Sequence, residues 1–187
     1  MLKTVLFDLD GTLTDSKPTL VSLVRRVCAE YGYPVADHVD LEFVVGPPFH
    51  VTIPQLIPDP EIVRVFPFRA NEIYHEHIHE TVVYGGVFEL LDALAEREIQ
   101  VGIATYKPLP LAKLVCSVTK LENYFDHIFG PEIDRLEQLH KSQIVANALV
   151  GLCAAPENTA FVGDHDHDEQ AAIDNELQFF RHDATDS

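Results

Sequence analysis

The sequence has few positive charges and no long apolar run, and each shortage excludes a class of protein. Of its 187 residues, 13 are Lys or Arg and 30 are Asp or Glu, which gives a formal net charge of −17. A surface of that sign repels nucleic acid and anionic membranes. No apolar stretch approaches the roughly 18 residues of a membrane-spanning helix. We therefore expect neither a nucleic-acid partner nor a membrane partner.

Cysteine is also scarce. The three cysteines, Cys28, Cys116 and Cys153, are widely spaced and odd in number. This pattern is typical of reduced thiols in a cytoplasmic protein and does not indicate a disulfide framework. No Cys-x-x-Cys pair and no Cys/His spacing of a zinc site occurs. The sequence therefore predicts a cytoplasmic protein, with a length suited to about one domain and an insertion.

Short apolar runs alternate with amphipathic helical patterns along much of the chain. The first run, Leu2–Leu9, contains three successive apolar residues, Val5, Leu6 and Phe7, before Asp8, as expected of a strand that is buried on both faces. Strands are predicted over 2–9, 99–105, 127–130, 159–163 and 177–182, and helices over 87–97, 109–121, 141–152 and 169–175. This alternation predicts an α/β fold with a parallel sheet and right-handed crossovers. Residues 183–187 are expected to form a loose tail.

Residues 34–67 differ from the rest because they carry seven of the twelve prolines. Only short helices fit between prolines that are so closely spaced. A helix is predicted to begin at Pro18, and another to run from about Phe68 to Glu80. The Tyr84-Gly85-Gly86 stretch predicts a joint. We therefore interpret residues 16–84 as an inserted helical segment, called the cap, and residues 1–15 and 85–187 as the core.

Polar side chains follow three of the predicted strands. They are Asp8 and Asp10 after the first strand, Thr105, Tyr106 and Lys107 after the second, and Asp164, Asp166 and Asp168 after the strand at 159–163. Ligands of open α/β sheets bind beyond the carboxyl ends of the strands, so we expect these residues to converge. Hard carboxylate oxygens suit Mg²⁺, and a metal beside an aspartate nucleophile favours attack on phosphorus. The Thr105 hydroxyl and the ammonium of Lys141 are suitable donors to the transferring oxygens.

These residues resemble the haloacid dehalogenase-like phosphohydrolase superfamily. Its four motifs are matched in order by Asp8-Leu9-Asp10-Gly11-Thr12 (DxDGT), Thr105, Lys141 and Gly163–Asp168 (GDxxxD). The resemblance covers most of the chain. It implies a Rossmann-like three-layer α/β/α core with a small helical cap inserted between the first two motifs.

A finer resemblance links the chain to phosphoglycolate phosphatase-like and bacterial 5′-nucleotidase-like enzymes. It rests on Val45-Gly46-Pro47-Pro48, Thr105-Tyr106-Lys107-Pro108 and His140-Lys141. This branch implies a small phosphorylated metabolite as substrate, phosphoglycolate-like or nucleotide-like. Members of the family usually continue for some tens of residues past the last strand, whereas this sequence ends at Ser187.

The resemblance also implies catalytic and metal-binding roles. Asp8 would attack the phosphorus and form an aspartyl-phosphate. Asp10 would protonate the leaving oxygen and then deprotonate the hydrolytic water. The Asp8 carboxylate, the backbone carbonyl of Asp10 and Asp164 would hold Mg²⁺. Asp168 would reach the metal through water or orient Lys141.

Further residues are implied in phosphate and substrate binding. Thr105, the backbone near Tyr106, and Lys141 would hold the phosphoryl oxygens. In the cap, Arg69 and Pro47 are predicted to face the substrate, with Arg69 recognising a carboxylate or a second phosphate.

The other polar residues of the fourth motif are predicted to have no role. Asp166 is expected on the surface, and His165 and His167 are expected to be bystanders because imidazole is a poor ligand of Mg²⁺. Two alternatives to a phosphatase remain open at this point. One is a phosphosugar mutase of the same fold, and the other is a non-catalytic protein that binds or senses phosphoesters.

Overall fold

The strands of the protein form two sheets. A computed structural model describes residues 1–132 and 139–183, so of the predicted tail at 183–187 only Asp183 lies within the described residues. In chain order the strands are β1 (Thr4–Phe7), β2 (Thr14–Asp15), β3 (Val82–Val83), β4 (Gln100–Ala104), β5 (Ile128–Phe129), β6 (Thr159–Gly163) and β7 (Gln178–Arg181). Five of them form a sheet in the order β5-β4-β1-β6-β7, and β2 pairs with β3.

The five-stranded sheet is parallel throughout, which confirms the predicted α/β fold. Phe7 in β1 lies opposite Ile103 in β4 and opposite Val162 in β6. Successive side chains of a strand point to opposite faces, and both faces are buried here. Phe7 packs into the larger apolar cluster, and Leu6 packs into a second cluster with Ala148. The sheet therefore lies between two layers, and the fully buried β1 is its centre.

Helices cover both faces of the sheet and make up most of the cap. They are α1 (Lys17–Glu30), α2 (Phe49–Thr52), α3 (Pro60–His77), α4 (Val87–Glu96), α5 (Leu109–Thr119), α6 (Lys141–Gly151) and α7 (Asp166–Asp174). None of these helices of the described chain is both long enough and apolar enough to cross a bilayer. Helix α7 begins three residues before its predicted start. The reason is that Asp168 accepts a hydrogen bond from the backbone of His165 and closes the first turn.

The cap leaves the core and returns to it at neighbouring positions. Strand β2 pairs antiparallel with β3, with Thr14 opposite Val83 and Asp15 opposite Val82. After β3 the chain reaches Gly86, whose φ of 82° lies in the left-handed region and starts α4. We propose that this pair of strands is the boundary between core and cap, in line with the predicted division at 16–84.

The main helix of the cap is longer than predicted. We expected it to begin near Phe68, but α3 begins at Pro60 and contains Pro67. Its start is stabilised because the Asp59 side chain accepts a hydrogen bond from the backbone of Glu61 at 2.9 Å. A proline inside a helix removes one backbone hydrogen bond, which the packing of the buried side chains of α3 compensates.

One arginine organises the loop that follows α1. The half-buried Arg25 donates hydrogen bonds of 2.6–3.1 Å to four backbone carbonyls, those of Val35, Ala36, Asp37 and Val39. The loop has no regular structure of its own, so these carbonyls depend on the guanidinium.

We expect Arg25→Met to destabilise the protein by about 2 kcal/mol, or roughly 4–8 °C in Tm, because four carbonyls lose a charged donor. The matched control is Arg26→Met. Arg26 is exposed and pairs with the carboxylates of Glu30 and Glu76, and such surface pairs contribute about 1 kcal/mol or less. Thermal unfolding of both variants measures the difference. Equal losses in the two variants would show that the loop does not depend on Arg25.

Candidate active site

The carboxyl ends of three neighbouring strands bring the predicted site residues together. Asp8 follows β1 and donates its backbone N–H to the carbonyl of Val162 in β6 at 2.9 Å. Thr105 follows β4, and Asp164 follows β6. Asp8 and Thr105 are almost fully buried. The parallel register of the sheet thus places one carboxylate from each of β1 and β6, and a hydroxyl from β4, at one edge.

Lys141 lies at the centre of this edge. Its Nζ is 2.8 Å from Asp8 Oδ1 and 2.9 Å from Asp168 Oδ1, and none of the three side chains is more than 4 % exposed. Lys141 is the first residue of α6, and its backbone N–H donates to the hydroxyl of Tyr106 at 2.8 Å. Burial alone would lower the pKa of Lys141, but Asp8 and Asp168 raise it above its ordinary value. Lys141 is therefore a cation held between two carboxylates.

The cluster has more negative than positive charge. The pKa of Asp8 is raised from 3.8 to about 7, chiefly by burial and also by Asp168 and Asp164, while Lys141 opposes the rise. Asp8, Asp164 and Asp168 each place a carboxylate oxygen within 4.8 Å of the others. A Cβ on Gly11 would lie 2.2 Å from Asp164 Oδ2, so only glycine allows this approach. Hard oxygen ligands with excess negative charge fit a divalent cation such as Mg²⁺.

Asp168 has both carboxylate oxygens engaged by the protein. Oδ1 contacts Lys141, and Oδ2 accepts the backbone N–H of His165 at 3.1 Å. Asp168 was predicted either to reach the metal through water or to orient Lys141. Its contacts favour the second of these roles.

The side chain of Asp10 lies apart from this cluster and pairs with a different lysine. Lys107 Nζ is 2.9 Å from both carboxylate oxygens of Asp10, and the Lys107 side chain is only 4 % exposed. The ring of Tyr74, which belongs to the cap, lies 4.2 Å from the same ammonium. Sequence reasoning gave Lys107 no role. The available signal was its place two residues after Thr105, at the same edge of the sheet.

The residues predicted to hold phosphate surround the buried lysines. The hydroxyl of Thr105 accepts the backbone N–H of Lys107 at 3.1 Å, so its own proton is free for a ligand. Tyr106 lies with its ring 5.3 Å from Lys141 Nζ and 5.1 Å from the ring of His167. These contacts bring Thr105, Tyr106 and Lys141 to one side of Asp8.

The two histidines of the fourth motif pack on the site. His165 Nδ1 lies 2.7 Å from Asp164 Oδ2, and this bond raises the pKa of His165. Burial lowers the pKa of His167 to about 4, so that ring is neutral at pH 7. A Cβ on Gly46 would lie 2.5 Å from His165 Cε1, so the glycine of the cap loop packs directly on this ring. His165 is therefore a contact between the aspartate loop and the cap, whereas Asp166 is on the surface, 98 % exposed, as expected.

A cavity of about 360 Å³ lies between core and cap and reaches Asp10. Most of its wall is apolar. The lining side chains include Leu20, Leu23, Val44, Pro47, Phe49, Pro67, Phe68 and Leu111, with Arg64, Asn71, Tyr74, Tyr106 and Lys107 among the polar ones. Pro47 thus faces the cavity, as its predicted contact with substrate requires.

The structure does not bring Arg69 to this cavity, which corrects its predicted position. The guanidinium of Arg69 bonds to Glu30 at 2.7 Å and to Glu72 at 2.8 Å, on the exposed side of the cap. A carboxylate three or four residues away on the same helix lies next to the arginine side chain, and here a second carboxylate comes from the neighbouring helix α1. The arginine that lines the cavity is Arg64, which also bonds to Glu61 at 2.8 Å.

We expect Asp8→Asn to stabilise the metal-free protein, and more so at pH 8 than at pH 5. The folded pKa of Asp8 lies above its unfolded value, so the free energy of unfolding falls as the pH rises from about 4 to 7. The neutral amide removes that penalty while it still accepts a bond from Lys141. The gain in Tm should be about 5 °C larger at pH 8.

Thermal unfolding in EDTA at the two pH values measures this gain, with the exposed Asp37→Asn as control. A loss of stability at pH 8 would show that the attraction of Lys141 outweighs the burial of Asp8.

Comparison with known proteins agrees with this geometry. The model of the family described as haloacid dehalogenase-like hydrolase matches residues 5–181. A 5′-nucleotidase of Pseudomonas aeruginosa is 31 % identical over 176 residues, which cover 91 % of this chain and 78 % of that protein. The tyrosine-protein kinase PtkA of Mycobacterium tuberculosis is 31 % identical over 169 residues and 90 % of this chain. The match spans only 57 % of the length of PtkA.

A solved structure supports the same relationship. The crystal structure of a predicted phosphatase from Clostridium acetobutylicum superposes with a TM-score of 0.89 at 28 % identity, and covers 97 % of this chain and 84 % of that one. The family match extends over nearly the whole chain and includes all four motifs. The predicted family is thereby confirmed, and the chain belongs to the haloacid dehalogenase-like hydrolases.

Proposed function

We propose that the protein is a Mg²⁺-dependent phosphomonoester hydrolase that acts through an aspartyl-phosphate on Asp8. The observation that carries the proposal is the arrangement of the two aspartates of the first motif. Asp8 lies in the buried cluster of Lys141, and Asp10 lies two residues on, at the wall of the cavity. A nucleophile and an acid/base group thus flank the position where an ester bond would lie.

In the first step a carboxylate oxygen of Asp8 attacks phosphorus. The ester P–O bond breaks, its electron pair passes to the leaving oxygen, and Asp10 gives that oxygen a proton. In the second step water attacks the phosphorus of the aspartyl-phosphate and loses a proton to the ionised Asp10. The bond to Asp8 then breaks, which releases inorganic phosphate and restores both carboxyl groups.

Other residues hold the phosphoryl group and the metal in this scheme. Lys141 and the hydroxyl of Thr105 donate to the phosphoryl oxygens, with Asp168 holding Lys141 in place. Asp8, Asp164 and the backbone carbonyl of Asp10 would hold Mg²⁺, which supplies charge to offset that of the phosphoryl group. This charge is needed because the cluster holds three carboxylates, of which Lys141 pairs with two.

The cavity favours a leaving group that is larger than a two-carbon acid. A wall of leucine, proline and phenylalanine side chains gains free energy by covering an apolar or aromatic body, which phosphoglycolate lacks. The 5′-nucleotidase relative supports a nucleotide-sized substrate. We therefore infer a small phosphorylated metabolite that is nucleotide-like.

Turnover of p-nitrophenyl phosphate tests the mechanism. Asp8→Asn should lower kcat by at least about a hundredfold, because the covalent nucleophile is lost. Circular dichroism checks that this variant is folded. Turnover should also stop in EDTA. A variant that keeps more than a hundredth of the wild-type rate would exclude Asp8 as nucleophile.

The same assay separates the alternatives. A non-catalytic binding protein would release no p-nitrophenol at all. With hexose 1-phosphates, a hydrolase releases inorganic phosphate, whereas a mutase returns the phosphoryl group to another position of the sugar. Formation of hexose 6-phosphate without inorganic phosphate would replace the hydrolase proposal by a mutase.

Binding of Mg²⁺ should raise the Tm of the wild-type protein by several degrees, since an ion that binds only the folded state stabilises it by mass action. Asp164→Asn should lose this shift because it removes a ligand charge. Asp166→Asn is a matched control, since Asp166 lies on the same loop with its side chain 98 % exposed. A shift that persists in Asp164→Asn and vanishes in Asp166→Asn would place the metal elsewhere.

A further inference from the structure

We propose that Lys107 is a positioning residue for Asp10 in the hydrolysis of the aspartyl-phosphate, and that Tyr74 of the cap holds Lys107 in place. This inference rests on the proposed function. It assigns a role to a buried lysine that none of the four motifs includes.

The contacts of Lys107 are specific. Its Nζ lies 2.9 Å from both oxygens of Asp10, which fixes the plane of that carboxylate as well as its distance. Asp10 has no other hydrogen-bond partner among the described residues that would set its orientation. The backbone N–H of Lys107 donates to Thr105, so the start of the lysine side chain is anchored to the phosphate-binding edge.

The pair fits the second step of the proposed mechanism. In that step Asp10 takes a proton from water, and the contact of Lys107 with both of its oxygens holds the carboxylate in one orientation while it does so. Lys107 cannot replace Asp10 as the base, because Asp10 holds the pKa of Lys107 above its ordinary value against the effect of burial. Its contribution is therefore to hold the base in place.

The cap completes this arrangement. The Tyr74 ring lies 4.2 Å from Lys107 Nζ, in range for a cation–π contact, and the Tyr74 hydroxyl bonds to Thr81 at 3.1 Å. Tyr74 belongs to α3 and Lys107 to the core, so the ammonium has a partner on each side of the cavity. Asp10 is thus oriented by a lysine whose own position depends on a docked cap.

Pre-steady-state kinetics with p-nitrophenyl phosphate and Mg²⁺ tests the proposal. If the second step is slowed, the first turnover still releases p-nitrophenol quickly. We expect Lys107→Met to show a burst close to one equivalent per enzyme, followed by a steady-state rate about a hundredfold below that of the wild-type protein. Lys107→Arg should recover part of the rate, and the exposed Lys113→Met on α5 should behave like wild type.

Variants of Tyr74 provide a second test, because they leave the Lys107 and Asp10 side chains in place. Tyr74→Leu removes the ring, so it should show the same burst with a steady-state rate about tenfold lower. Tyr74→Phe keeps the ring face and should lose less of the steady-state rate than Tyr74→Leu. If Lys107→Met leaves Asp10 unpaired and does not fold, Tyr74→Leu still tests the idea.

The outcomes separate this inference from the proposed function. Absence of any turnover in the wild-type protein would reject the phosphatase itself. With an active wild-type protein, a uniform loss without a burst in Lys107→Met and Tyr74→Leu would overturn the positioning role. A higher KM with an unchanged kcat would also overturn it, because Lys107 would then bind substrate.

Discussion

The buried ammonium of Lys141 is the interaction on which the site depends. It joins Asp8 at the end of β1 to Asp168 in the first turn of α7, and it does so from the first residue of α6. A buried charge is tolerated only when it is paired and hydrogen-bonded. The ends of β1, α6 and α7 therefore meet at one ammonium, and Asp8 cannot move without disturbing the other two elements.

The cluster around Lys141 contains more carboxylates than ammonium groups. One ammonium faces Asp8 and Asp168, with Asp164 nearby, and the pKa of Asp8 is raised by its burial and, to a smaller extent, by the two neighbouring carboxylates. The second buried lysine does not relieve this excess of carboxylates, because Lys107 is committed to Asp10. The two aspartates of the first motif thus lie in separate electrostatic environments although they are two residues apart. That separation suits the different roles proposed for them, one as a nucleophile and the other as an acid/base group.

The core was predictable from sequence, and the cap was much less so. A strand such as Thr159–Gly163 is buried on both faces, so its apolar run is unbroken and its bounds were predicted correctly. In the cap, Pro67 suggested a break that tertiary packing overrides. The motifs predicted which charged residues converge at the site, but they did not predict which side chains form ion pairs with each other. Nothing local to the sequence of Lys107 or Arg69 shows that one faces Asp10 and the other Glu30.

The pairing of the cap's arginines bears on which esters the cavity can accept. Three of them are engaged by glutamates, namely Arg26 with Glu30 and Glu76, Arg69 with Glu30 and Glu72, and Arg64 with Glu61. Of these three, only Arg64 lines the cavity, and its partner offsets its charge. A leaving group with a second anion would therefore gain little from the cap in a chain of net charge −17. An uncharged apolar body, by contrast, gains the full benefit of a wall built from leucine, proline and phenylalanine.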